Sequence, residues 1–189
     1  GASRVSCASF SIGTNTTITI TMDNKAYTHT LKYSFNGATG TIVTKTTQTT
    51  YVWTPPASTF YSKIPNTTSG YGTITCETYN GNTLIGTTTA GFYAYAVRDN
   101  CLPTVSGTVV DTNSATIALT GNSSILVSIM SKPKATITAT AKNNATIKTI
   151  QIDNGWGLVA TTSPYTFDRV YGDKFFFKAT DSRGYSTTH

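Results

Sequence analysis

The sequence has few charged residues, few histidines and few cysteines, and each shortage narrows what the protein can do. Charged residues make up 12% of the 189 residues, and the histidines are His29 and His189. The sequence contains no Cys-x-x-Cys motif, no pair of histidines at ligand spacing and no glycine-rich loop that enters a helix. The usual parts of zinc and phosphate sites are therefore missing. We expect no metal, no cofactor and no enzymatic activity.

A catalytic site would have to be built from eight acidic residues and one mid-strand histidine. His29 lies between two threonines, and we interpret it as a surface or rim residue rather than as the base of a triad. Asp168 and Asp173 are so close in sequence that we expect them to cap a hairpin loop rather than to form a glycosidase pair. A calcium site using Asp153, Asp168 or Asp181 needs converging oxygens, which spacing alone does not indicate.

The basic residues are scattered rather than grouped. Fourteen Lys and Arg against eight Asp and Glu give a net charge of +6, spread singly from Arg4 to Arg183. A nucleic-acid binder usually concentrates its positive charge in a stripe, so we expect no nucleic-acid partner. A weak attraction to anionic polymers of a bacterial wall remains open. No apolar run approaches the length of a membrane span, so we expect no membrane partner.

The three cysteines, Cys7, Cys76 and Cys101, cannot all pair within one chain because their number is odd. We expect them to be small buried residues of a protein that is made in a reducing cytoplasm. The alternative is a bridge between Cys7 and Cys76 in facing strands of one sandwich.

What the sequence has in abundance is threonine in alternation with apolar residues. The stretch from Gly70 to Ala96 is the clearest case, since Ile74 and Cys76 alternate with threonines and a second alternating run follows. Between the two runs lies Asn80-Gly81, the dipeptide of a type I′ turn. We therefore predict a hairpin with one face on a core and the other in water.

The residues before this hairpin predict more strands of the same kind and one short helix. Trp53 is predicted to lie in the core. Pro55 and Pro56 suit a helix start, and Phe60 and Ile64 are spaced to share one helical face. With the hairpin, this makes about seven short strands, typical of an immunoglobulin-like β-sandwich. The five earlier strands are predicted at residues 5–12, 16–22, 28–35, 41–45 and 50–54.

The second half is also predicted to be all-β. Alternation stops at residues 97–103, where charge, Asn and Pro gather as in a linker. We predict two tandem immunoglobulin-like domains, 1–98 with the helix and 99–189 with a fibronectin-like sandwich. The strands of the second are predicted at residues 104–110, 115–119, 125–130, 135–141, 145–152, 165–170, 174–180 and 185–188.

Exposed aromatic residues are the best candidates for ligand binding. Trp156 lies between two glycines in a predicted loop, and Tyr165 and Tyr171 fall in or near neighbouring loops. An exposed ring can stack on the apolar face of a sugar, whereas a buried one only fills the core. Tyr93 and Tyr95 alternate with Ala94 and Ala96. One of the two sets must therefore face outward or towards the second domain, and we favour packing between domains or between subunits.

Several segments, taken in order, resemble a siphovirus domain-of-unknown-function family. That family occurs in minor structural and tail-associated proteins of phages that infect Gram-positive bacteria. The segments that carry the resemblance are YTHTLKYSFNGATGTI, YVWTPP, KIPNTTSGYGTITCETYNG and TLIGT in the first half, and ALTGNS, SKPKATITATAKNNATIKTIQI and DSRGYSTT in the second.

The resemblance implies a non-enzymatic structural and adhesion module of a phage tail, at the tail tip or a fibre. Its implied partners are other tail subunits and host cell-wall polysaccharide, and its implied location is the virion. No catalytic motif comes with the family. A carbohydrate-binding module that uses the Trp156 loop and a bacterial cell-wall adhesin domain are the alternatives, and assembly into a trimer, as in fibres, remains open.

Overall fold

The structure of the protein is a computed structural model that describes residues 1–112, 132–155, 157–168 and 174–189. Within these ranges the chain is mostly β, with two short helices, which confirms the all-β class. It divides into two compact units, residues 1–100 and 101–189. Neither of the described helices is long and apolar enough to cross a membrane.

The first unit consists of a three-stranded and a five-stranded sheet, with strand orders β1-β3-β6 and β2-β8-β7-β4-β5. All neighbouring strands are antiparallel except β2 and β8, which are parallel. The strands are β1 (Arg4–Cys7), β2 (Phe10–Ser11), β3 (Thr16–Thr21), β4 (Thr28–Phe35), β5 (Ala38–Thr46), β6 (Thr50–Trp53), β7 (Ser69–Asn80) and β8 (Thr83–Tyr95).

Period-two alternation decides which side chains enter the core of this unit. In β3, Ile18 and Ile20 are buried while the threonines between and after them are exposed. In β4, Leu31 and Phe35 are buried, and in β7 Ile74 lies on the same inner face. The branched Cβ of threonine suits a pleated strand and its hydroxyl suits water, so the alternation yields a half-buried sheet.

A short helix, α1 (Ala57–Ser62), follows the two prolines as predicted and buries Phe60. Ile64, just after the helix, is also buried, at 2% exposure. Trp53 is 6% exposed, which confirms its predicted place in the core. The Phe60 ring lies with its centroid 4.3 to 6.2 Å from five aromatic rings of both sheets, which are those of Phe10, Tyr33, Phe35, Trp53 and Phe92.

The predicted first strand, 5–12, is wrong in one respect, because the structure divides it between the two sheets. β1 pairs with β3, whereas β2 crosses over and pairs with β8. The crossing places Phe10 and Ile12 in the core, at 5% and 2% exposure. The Ser9 hydroxyl, which precedes β2, accepts a hydrogen bond from the Tyr93 N–H at 3.0 Å. Burial of these two apolar side chains therefore outweighs continued pairing along β1.

The predicted type I′ turn at Asn80-Gly81 is also wrong. Asn80 is the last residue of β7, and the loop consists of Gly81 and Asn82, of which Gly81 alone has a positive φ, at 60°. Glycine with positive φ at the first loop position is the pattern of a type II′ turn. The type I′ pattern occurs instead between β4 and β5, where Asn36 and Gly37 have φ values of 46° and 88°.

The second unit also contains two sheets, with strand orders β13-β10-β9 and β12-β11-β14-β15. A second helix, α2 (Arg98–Cys101), lies in the predicted linker; at four residues it is too short to produce a periodic signal in sequence. The strands are β9 (Thr104–Asp111), β10 (Pro133–Thr140), β11 (Ile147–Asp153), β12 (Val159–Ala160), β13 (Tyr165–Thr166), β14 (Phe176–Asp181) and β15 (Ser186–Thr188).

Among the described residues, fewer aromatic side chains are buried in the second unit than in the first. A Cβ at Gly107 of β9 would clash with the ring of Phe177, so the glycine makes room for that ring. The predicted strands at 115–119 and 125–130 lie outside the described residues. The buried cluster consists of Ala135, Ile152, Ala160, Phe167 and Phe177.

Substitution Phe60→Ala tests the importance of the aromatic cluster. Removing a fully buried ring leaves a cavity among five others, so we expect the free energy of unfolding of the first unit to fall by about 3 to 5 kcal/mol. Urea denaturation followed by Trp53 fluorescence, in a Trp156→Phe background, measures this loss. Ser58→Ala, at an exposed position of the same helix, is the control, with a change within about 0.5 kcal/mol. A loss below about 1 kcal/mol for Phe60→Ala would contradict the account.

Candidate functional site

Of the three residues predicted to bind a ligand, the structure places one. Tyr165 lies in β13 and is 41% exposed, with its ring edge-on to Phe167 at a centroid distance of 4.8 Å. Trp156 and Tyr171 lie outside the described residues. The loop proposed around Trp156 therefore stays a prediction.

A larger aromatic surface lies on the outer side of the five-stranded sheet of the first unit. Tyr71, Tyr93 and Tyr95 are 54%, 49% and 45% exposed, and we call these three side chains the tyrosine face. Phe92 and Ala94, which alternate with them in β8, are buried at 1% and 0%. The tyrosines of β8 therefore face outward, and the residues that alternate with them face the core.

The rings of the tyrosine face contact one another. The centroids of Tyr71 and Tyr93 are 5.3 Å apart with an interplanar angle of 64°, and those of Tyr93 and Tyr95 are 6.3 Å apart at 24°. Tyr71 of β7 is directly opposite Tyr93 of β8 in the antiparallel ladder. Cross-strand aromatic pairs of this kind stabilise a sheet.

Gly91 holds Tyr71 in place. A Cβ at Gly91 would clash with the hydroxyl and ring of Tyr71, so that ring lies across the bare backbone of β8. Glycine in a strand often marks such a close approach. The Tyr71 ring is thereby positioned by backbone on one side and by Tyr93 on the other.

Charged side chains of the same sheet are placed around Glu77 and Tyr79 of β7, where Lys45 Nζ lies 5.0 Å from the Tyr79 ring centroid. Lys32 of β4 forms an exposed ion pair with Glu77 of β7 at 3.3 Å, and Glu77 is the one charged residue in the sequences of β2, β7 and β8. Beside this pair is a groove of about 360 Å³ on β4, β5 and β7. The groove is lined mainly by hydroxyl side chains and is formed by Lys32, Tyr33, Ser34, Thr39, Gly40, Thr41 and Thr75.

His29 is not a surface or rim residue as predicted, because its side chain is fully buried. Its Nε2 lies 2.7 Å from the Ser3 hydroxyl. The Ser3 N–H donates to the Thr78 hydroxyl at 3.0 Å, and the Thr88 hydroxyl donates to the Ser3 carbonyl at 2.6 Å. The segment before β1 therefore covers the histidine. Its Nδ1 has no hydrogen-bond partner among the described residues. Burial lowers the pKa of His29.

The cysteines are free, so the alternative of a Cys7–Cys76 bridge is wrong. Cys76 and Cys101 are buried, as expected, and Cys7 is half-buried. Burial raises the pKa of Cys76 to about 11, with the Glu77 carboxylate adding to the shift and the Thr78 hydroxyl opposing it. Burial also raises the pKa of Cys7. Both thiols are therefore protonated at neutral pH and are poor nucleophiles.

Two of the carboxylates considered for calcium or catalysis have local roles in turns. Asp153 accepts a hydrogen bond from the Gly155 N–H at 2.7 Å, and Asp181 accepts from the N–H groups of Arg183 and Tyr185, each at 2.9 Å. Asp168 is exposed. Asp173 lies outside the described residues. Within the described ranges, no group of three His, Cys, Asp or Glu residues could hold a metal ion.

A family model described as "Siphovirus protein of unknown function (DUF859)" matches residues 1–153. The match spans the first unit and continues through β11 of the second. It confirms the resemblance that the sequence segments indicate. No curated protein matches the chain.

The buried His29 predicts a loss of stability in mild acid. Its folded pKa lies below the ordinary value of 6.5, so the unfolded chain binds more protons and stability falls with decreasing pH. We expect this contribution to be complete above about pH 6.5 and to weaken below it, with a slope of at most about 1.4 kcal/mol per pH unit. Urea denaturation between pH 7.5 and 5 measures the slope.

The two histidines provide matched variants for that measurement. His29→Gln removes the titrating group and should flatten the slope between pH 6.5 and 5. His189→Gln removes an exposed terminal histidine and should leave the slope unchanged. An equal slope in the wild type and in His29→Gln would show that the buried imidazole is not responsible.

Proposed function

The chain belongs to this siphovirus family, a membership that indicates a phage structural protein, and we propose that it is a non-enzymatic module of the tail. The match to residues 1–153 is the observation that carries the proposal, because it places most of the chain in a siphovirus protein family. In this proposal the chain lies at the tail tip or in a fibre. It contacts other tail subunits and contributes to recognition of the host surface.

We further propose that the two units are immunoglobulin-like sandwiches in tandem. In that fold, strands A, B and E form one sheet and strands C, F and G form the other. The order β1-β3-β6 corresponds to A-B-E, and β8-β7-β4-β5 to G-F-C with an added C′ strand. The second unit has the same correspondence, with β9-β10-β13 as A-B-E and β15-β14-β11-β12 as G-F-C-C′.

A tandem array of sandwiches suits a display role in a virion. In the first unit, strand β3 buries its isoleucines and exposes threonines between and after them, and the middle of β8 exposes threonines as well. Loops and outer sheet faces can then carry recognition while the core keeps the shape constant. The proposed activity is mechanical: the modules hold a binding surface away from the particle.

Several of the described histidine, cysteine and aspartate side chains that could act in catalysis are enclosed, protonated or engaged in turns. This supports the proposal of a binding rather than a catalytic role. The His29 imidazole is enclosed, and the thiols of Cys7 and Cys76 stay protonated. The carboxylates of Asp153 and Asp181 accept backbone hydrogen bonds in turns. Release of reducing sugar from host cell walls by the purified chain would refute the non-enzymatic assignment.

Location on the virion tests the tail assignment directly. Antibodies raised against residues 1–100, coupled to gold and applied to intact phage, should label the tail tip or fibres in electron micrographs. An antibody against the major capsid protein serves as the control for particle integrity. Labelling of the capsid, or no labelling of intact and disrupted particles, would refute the proposal.

A further inference from the structure

We propose that the tyrosine face binds an uncharged glycan, with sugar rings stacking on Tyr71 and Tyr93. The tyrosine face would be the site of the proposed host recognition, so its biological role rests on that proposed function. The binding itself is a property of the first unit and can be measured on the purified chain.

The exposure of these rings is the first argument. Three large side chains about half exposed and in mutual contact form a continuous patch, whereas singly scattered apolar residues need no explanation. Tyrosine presents an apolar ring with a hydroxyl at its edge, which matches a sugar whose C–H groups lie on its faces and whose hydroxyls lie around its rim. A patch of this composition suits a ligand that is both apolar and hydroxylated.

The fixed position of Tyr71 is the second argument. Its ring lies across Gly91 and meets Tyr93 edge-on, so its freedom is reduced before any ligand arrives. Both residues lie within the strands β7 and β8 rather than in loops. A site on rigid elements loses little conformational entropy on binding. This favours ligands such as sugars, whose individual contacts with a protein are weak.

The scarcity of charged residues in the strands that carry the rings favours an uncharged ligand. The strands β2, β7 and β8 contain a single charged residue, Glu77, and Lys32 neutralises it at 3.3 Å. Glu77 is also six residues from Tyr71, about 20 Å along an extended strand. Strands β2, β7 and β8 contribute no Lys or Arg, so an anionic polymer would find no cationic partner on the strands that carry the rings.

The surroundings of the rings supply hydrogen-bonding groups. Thr73 and Thr75 continue along β7 from Tyr71 on the outer side of the sheet, and Ser34 is paired with Thr73 on β4. Thr75 and Ser34 also line the neighbouring groove. A glycan longer than two or three units could therefore run from the tyrosines across the strands to this groove, where hydroxyl groups can pair with its own.

Area argues against a second copy of the chain as the occupant. Three half-exposed tyrosines present roughly 300 Å² of side-chain surface, if a whole side chain offers about 200 Å². A stable protein interface needs about 800 Å² from each partner. The patch is the right size for one or two sugar rings and too small to hold two sandwiches together by itself.

Titration calorimetry of the purified chain with maltohexaose, cellohexaose and hexa-N-acetylchitohexaose tests the proposal, with polyglutamate as an anionic comparison. We expect at least one neutral oligosaccharide to bind, and Tyr71→Ala and Tyr93→Ala each to weaken that binding about tenfold or more. Gly91→Ala retains all three tyrosines but displaces Tyr71, and we expect it to weaken binding as well. Thermal melting confirms that each variant is folded.

Control variants and alternative outcomes make the test decisive. Leu84→Ala removes a 49% exposed side chain at the far end of β8 and should leave binding unchanged. Loss of binding in Tyr165→Ala, with Tyr71→Ala and Tyr93→Ala unaffected, would overturn the proposal in favour of a site in the second unit. Binding to polyglutamate alone, or no binding to any neutral oligosaccharide at about 10 mM, a concentration that detects even weak millimolar affinity, would also overturn it.

Self-association must be followed in the same samples. A dimer detected by sedimentation and abolished by Tyr71→Ala would assign the face to a second copy and refute glycan binding. The outcomes are separable from the proposed tail location, since gold labelling of virions does not depend on these tyrosines. A labelled tail with a non-binding chain would leave the tail assignment standing and remove only the glycan site.

Discussion

The first unit depends on the packing of Phe60 against aromatic rings from both sheets. The helix that carries it is only six residues long and has no side-chain cap at its N-terminus, so helix propensity alone would not hold it. Burial of one ring among five others supplies the stabilisation, and the prolines before the helix fix where it starts. The same packing fixes the inner face of the five-stranded sheet, and with it the positions of the strands that carry the outer face.

Much of this architecture could be predicted from alternation alone. Strand β4 is predicted with its observed bounds because Leu31, Tyr33 and Phe35 alternate with polar residues. Phe60 and Ile64 are both buried, but the helix ends at Ser62, so the predicted shared helical face is wrong for Ile64. His29 has the same parity as Leu31 and Phe35, so consistent use of the same rule would have placed it inside. The crossing of the first strand could not be predicted, because it depends on how well Phe10 fits a core contributed by distant strands.

The tyrosine face shows why a site is harder to predict than a strand. A turn centred on Asn80-Gly81 would pair Tyr71 with Ala90 and place Tyr93 on the opposite side of the sheet. The observed register, with its irregularity between Thr78 and Tyr79, instead pairs Tyr71 with Tyr93. The observed turn alone would pair Tyr71 with Phe92, so the one-residue irregularity between Thr78 and Tyr79 decides whether Tyr71 and Tyr93 share a face. The residues predicted to bind from their loop context, Trp156 and Tyr171, lie outside the described ranges.

Native-state hydrogen exchange tests most directly whether the helix and the sheets form one cooperative sandwich. The Phe60 amide donates to Pro56 at 3.0 Å, and it should exchange only through the global unfolding that also exposes the amide of Ile74. Equal free energies of exchange at these two positions are the predicted result. If Phe60 exchanges through a local opening several kcal/mol below that of Ile74, the aromatic cluster does not hold the sheets together and the account is wrong.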